Sequence, residues 1–150
     1  MQDLGEGNLI KTLLKRLIPV ILIASFSVVA DTKEMDEAVK RYYAGFPEEA
    51  ISRLKPLALS GDVDAQYLLG NILYSLSKEG TVTGIEDPVK WYKMAADQNS
   101  AAANYALGAI FHNKWIKSRD KNEAVNAIIY YQKAVELEYS KAQQPLDRIK

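Results

Sequence analysis

The chain has 150 residues, enough for one domain, and its 48% apolar and 25% charged residues suit an ordinary globule, not a disordered or collagen-like chain. Its formal charge is zero and no basic block lies beyond residue 16, which excludes the electrostatic footprint of a nucleic-acid binder. It has no cysteine, so disulfides, thiolate nucleophiles, cysteine metal sites and lipid attachment through an N-terminal cysteine are all excluded.

Lys11, Lys15 and Arg16 open the chain's first recognisable segment. The uncharged run Leu17 to Val29 follows, then Val28-Val29-Ala30 and the polar run Asp31-Thr32-Lys33-Glu34. A positive region, a short apolar core and small residues before a cut describe an export signal cleaved after Ala30. The run is shorter than the roughly twenty apolar residues of a membrane span. Retained uncut, it would be an N-terminal anchor in the inner membrane. Ten residues precede the first lysine, long for such a leader, which suggests that translation starts downstream of Met1. Cleavage would leave sixteen basic and seventeen acidic residues in 31–150, a net charge of −1. A nearly neutral surface favours specific contacts over attraction to lipid or polyanions.

Beyond the signal the pattern is helical throughout, with no evident strand. The segment 35–60 reads as a first helical hairpin, with Tyr43, Gly45 and Phe46 ahead of Ala50, Leu54, Leu57 and Ala58. Pro56 removes the bond to Ser52, so the second helix there is expected to kink or start late. In 63–99, Asp62 and Asp64 stand where a helix start is capped. Leu68, Leu69, Ile72, Leu73 and Leu76 then recur at three- and four-residue spacing, the mark of one buried face. Gly80 to Gly84 is a loop, and Asp87-Pro88 opens the next helix.

The segment 101–138 repeats this pattern. Ala65, Tyr67, Leu69 and Gly70 match Ala103, Tyr105, Leu107 and Gly108 at an offset of 38. Trp91-Tyr92 matches Tyr130-Tyr131 at an offset of 39. A third copy starts at Ala142, with Leu146 in the leucine place, so 140–150 reads as a terminal helix. A second loop is expected over Ile116 to Asn122. Such a period with two segments per unit predicts an all-α solenoid of about three α/α hairpins filling 31–150. Gly70 and Gly108 lie in mid-helix, where glycine costs about 0.5–1 kcal/mol relative to alanine. A cost repeated at one spacing points to close helix approach, with Ala95-Ala96 and Ala134 as the expected opposing surface.

These residues resemble a family. Ala65, Leu69, Gly70 and Tyr74, followed after a loop by Trp91, Tyr92, Ala95 and Ala96, fit the signature of Sel-one-like repeats, relatives of tetratricopeptide repeats. The match covers about 60–142, and 35–60 more loosely. His112 stands for a tyrosine, Pro88 for an alanine and Met94 for a lysine, and Asn99 and Glu138 replace the terminal glycine kept at Gly61. The resemblance implies a non-enzymatic adaptor of the bacterial envelope that holds a partner protein on the concave side of the array.

On that reading the first helix of each unit lines the binding surface. Its outward residues are Asp64, Tyr67, Asn71 and Tyr74, then Tyr105 and His112, with Tyr67–Tyr105 and Tyr74–His112 forming an aromatic ladder. Tyrosines are favoured at binding hot spots, though the same residues also serve plain packing between helices. A periplasmic module that binds peptidoglycan or a small ligand would use the same strip, and is the alternative. An enzyme lacks support. The three Ser-x-x-Lys pairs, Ser52/Lys55, Ser75/Lys78 and Ser118/Lys121, stand without the other elements of a serine–lysine hydrolase. No carboxylate pair stands out for glycan hydrolysis. His112, the only histidine, lacks metal-ligand company, and Asp62-Val63-Asp64 lacks the further ligands calcium needs. No cofactor, metal or nucleic-acid partner is expected, and membrane contact only through an uncleaved signal.

Overall fold

The computed structural model describes residues 32–80 and 86–149; the expected export signal lies outside them, as does most of the Gly80–Gly84 loop. Every regular element among the described residues is helical. They are α1 over 32–43, α2 Pro47–Leu59, α3 Val63–Glu79, α4 Pro88–Asp97, α5 Ala101–Ser118, α6 Lys121–Glu136, a 3-10 turn Ser140–Ala142 and α7 Gln143–Ile149. Each of α2 to α6 packs chiefly on its neighbours along the chain. Among the described residues no helix is long and apolar enough to cross a membrane.

The starts of α3, α4, α5 and α6 are set by side-chain caps. The Asp62 carboxylate accepts the Ala65 N–H at 2.7 Å, and the Ser100 hydroxyl accepts the equivalent Ala103 N–H at 3.3 Å. Asp87 and Asp120 do the same for Val89 and Asn122, each at 2.9 Å. These bonds satisfy donors that the first helical turn leaves free. Asp64 is not the cap; it is exposed in the first turn of α3.

The ends of α1, α2, α4 and α6 share one closure. Gly45, Gly61, Asn99 and Glu138 have positive φ, at 86°, 102°, 64° and 63°. The next residue's N–H reaches back five positions in each case: Phe46 to Arg41, Asp62 to Leu57, Ser100 to Ala95 and Tyr139 to Ala134, at 2.9–3.1 Å. This is the Schellman closure, which glycine suits best. Asn99 and Glu138 adopt it with a Cβ, at some cost in backbone strain, so losing the glycine does not change the turn.

One expectation fails here and a second is narrowed. The Ile116–Asn122 loop is only two residues long, because α5 runs to Ser118, stops at the left-handed Arg119 and gives way to α6 capped by Asp120. Pro56 does not delay α2, which begins at Pro47, where a proline costs no internal hydrogen bond, and runs on to Leu59.

The core falls into three clusters, each containing the same small–large pair. Ala65 and Leu69 sit in the first with Leu54, Ala58 and Trp91. Ala103 and Leu107 sit in the second with Tyr92 and Ala95. Ala142 and Leu146 sit in the third with Tyr131 and Ala134. The glycines explain the spacing. A Cβ at Gly70 would lie 2.8 Å from the ring of Tyr92, and one at Gly108 would lie 2.6 Å from the ring of Tyr131. What presses on each glycine is therefore a tyrosine ring, not the alanine surface expected from the sequence. Tyr92 and Tyr131 are only 2% and 3% exposed, so neither ring can retreat cheaply.

Candidate partner-binding face

The two buried rings organise the residues singled out in the sequence. Tyr67, Asn71 and Tyr74 project from α3 towards Tyr92. The Tyr67 ring lies 6.0 Å from the Tyr92 ring, tilted by 50°. The Tyr92 hydroxyl donates to Asn71 Oδ1 at 2.8 Å. Tyr74 packs on the same cluster, and Lys78 Nζ sits 5.1 Å above its ring. Burial, then the neighbouring phenols Tyr67 and Tyr74, push the Tyr92 phenol far above its ordinary pKa.

On α5 the arrangement recurs with changed chemistry. The Tyr105 ring lies 5.7 Å from Tyr131 and 5.2 Å from Tyr139. His112 meets Tyr131 edge-on at 6.1 Å and Trp115 at 5.7 Å. Burial and then the Tyr105 phenol raise Tyr131 to about 12. Ala109 stands where α3 has Asn71, so the Tyr131 hydroxyl makes no hydrogen bond among the described residues. Burial, then the positive charge of Arg148 on α7, holds His112 below the usual histidine value.

Tyr67, Asn71, Tyr74, Tyr105 and His112 are all half-buried, and Asp64 is exposed. Among the described residues no ring contact joins Tyr67 to Tyr105, or Tyr74 to His112. Tyr67 and Tyr105 rest instead on the tyrosine of the following helix, because each pair of helices closes around its own glycine. Half-buried tyrosines thus sit on both α3 and α5, each seated on the helix that follows.

A further part of the surface escaped the sequence reading. Tyr43 at the end of α1 is 82% exposed, with its ring 5.5 Å from Tyr42. Both tyrosines line a cleft of about 310 Å³ whose other walls include Leu68, Asn71 and Ile72 of α3. They also line a second cleft of about 620 Å³ that reaches Leu76 and Glu79. Asn71 thus joins the Tyr92 site to the α1 surface. The available signal was the adjacent pair Tyr42-Tyr43 just before the helix-ending Gly45. At the far side of α2, Glu86 accepts hydrogen bonds from Lys55 and from the Trp91 indole, the latter at 3.1 Å. Its carboxyl is held below the ordinary range, first by the Lys55 hydrogen bond.

No protein-family model matches the chain, and a search of curated proteins finds no match.

Proposed function

We propose that the chain is a non-enzymatic adaptor of the bacterial cell envelope, a solenoid of Sel-one-like α/α hairpins that binds a partner protein through the face carried by α3 and α5. The observation that supports this most is the paired seating of Tyr67 on Tyr92 and Tyr105 on Tyr131, each beside a glycine that admits the ring. Half-buried tyrosines held from below have little freedom left to lose on binding, and they present an apolar body with a polar tip. The equivalent caps, left-handed closures and Ala–Leu core pairs at offsets of 38–39 residues favour the repeat reading. The positive, apolar and small-residue pattern of 11–30 favours export to the periplasm.

A benzophenone amino acid placed at Tyr67 or Tyr105 in the native host tests the proposal. A specific crosslinked band in the periplasmic fraction is expected, and it should vanish when the probe sits at the exposed Lys93. Folded protein that gives no band at either tyrosine would overturn the proposal and turn attention to calorimetry with peptidoglycan fragments.

A further inference from the structure

The two equivalent helix pairs differ at one buried amide. In α3, Gln66 is almost fully buried and fully used: its Nε2 donates to the Ala58 carbonyl at 3.0 Å, and its Oε1 accepts from Gln98 Nε2 at 3.0 Å. In α5 the corresponding residue is Asn104, only 3% exposed. Its Nδ2 donates to the Ser100 carbonyl at 2.9 Å, which fixes the orientation of the amide. The residue at the end of α6 that corresponds to Gln98 is Leu137, which has no side-chain donor. Asn104 Oδ1 is left without a partner, yet it is not sealed from solvent.

Asn104 lines a cleft of about 460 Å³ between α4, α5 and α6. Asp97, Asn99, Tyr130, Lys133 and Glu136 share the lining. Lys133 and Glu136 pair with each other at 3.7 Å. Asp97 pairs with no cation among the described residues. The cleft therefore offers one uncompensated carboxylate and one oriented, buried amide acceptor. Its complement is a single positive charge with several N–H donors.

We propose that this cleft binds an alkyl-ammonium or guanidinium group, presented as a lysine or arginine side chain of a partner polypeptide. The charge pairs with Asp97, and one N–H donates to Asn104 Oδ1. Ile129, half exposed on the rim, receives the aliphatic stem. An apolar rim beside an open polar cleft suits a side chain arriving from a protein surface better than a small free amine, which needs enclosure. The negative charge of Asp97 already reaches the cleft, since it adds to burial in raising the Tyr130 phenol. The site is independent of the α3–α5 tyrosine face.

Titration of the isotope-labelled full chain, followed through the Asn104 side-chain amide, tests this. The probes are Nα-acetyl-arginine methylamide, its neutral citrulline analogue, and putrescine as a free amine. The arginine derivative is expected to saturate the signal, and Asp97→Asn to weaken it roughly fivefold or more. Asn104→Leu, followed through the Asn99 side-chain amide of the same lining, should weaken it similarly; because position 104 is buried, the exposed Asp97 variant carries the test if Asn104→Leu fails to fold. Equal response to citrulline, no response, or indifference to Asp97→Asn would overturn the site. Tighter binding of putrescine than of the arginine derivative would overturn the polypeptide source.

Discussion

The α3–α4 and α5–α6 pairs keep the same steric rule and part company over polar groups. In both, a mid-helix glycine meets a buried tyrosine ring. In the first pair every buried polar group found is answered: Tyr92 by Asn71, Gln66 by Ala58 and Gln98. In the second, Ala109 withdraws the acceptor from Tyr131 and Leu137 withdraws the donor from Asn104. Packing is the stricter constraint, because a methyl group too many has nowhere to go, whereas a polar atom at an open cleft can be left to water or to a ligand. The pair that leaves its polar groups unanswered is the one that carries the proposed cation cleft.

The comparison can be broken first at the glycines. Gly108→Ala and Gly70→Ala should each lower stability by about 1–3 kcal/mol in urea unfolding, overriding alanine's better helix propensity. Gly108→Ala should cost more, because its ring contact is tighter. Unchanged or raised stability would deny the steric rule. Gln98→Leu imposes on the first pair the defect of the second; it should cost about 1–2 kcal/mol by stranding Gln66 Oε1. Tyr92→Phe should then cost about 1 kcal/mol and Tyr131→Phe close to nothing, as only the first loses a hydrogen bond. Glu138→Gly should gain about 0.5–1 kcal/mol by relieving a left-handed residue, read as a raised urea midpoint.

The smallest effects are those of pH. His112 is held below its ordinary value when folded, so the unfolded chain binds the proton first and stability falls as pH drops through about 6.5. His112→Tyr, which copies Tyr74, should flatten that slope. Tyr131 is raised to about 12, so its contribution is present below about pH 10 and is lost as pH rises from there to about 12. Tyr131→Phe should remove that part of the alkaline transition.

The all-helical fold was legible because its signals are local: three- and four-residue apolar spacing in α3, aspartate before the starts of α3 and α4, and proline at the head of α4. The recurring glycines announced a close approach. What they approach was not legible, since Tyr92 and the alanines beside it lie on one short helix and only the three-dimensional crossing selects the ring. The left-handed turns at Asn99 and Glu138 could not be read from the replaced glycine, because residue type reports the ease of a left-handed φ and not whether the surrounding bonds impose it. The Tyr67, Asn71 and Tyr74 group was visible as one helix face. The exposed Tyr43 and the acceptor of Asn104 were not, since the first depends on where α1 docks and the second on what Leu137 fails to supply.

The central claim is that the tyrosines seated on Tyr92 and Tyr131 form one binding face. The most direct measurement is photo-crosslinking from position 67 in a chain that also carries Tyr105→Ser, and from position 105 in a chain that carries Tyr67→Ser, with helicity checked by circular dichroism. The account predicts a folded protein whose crosslink to the partner is sharply reduced in both cases. A crosslink that survives both substitutions undiminished, or one obtained equally from position 93, would contradict it.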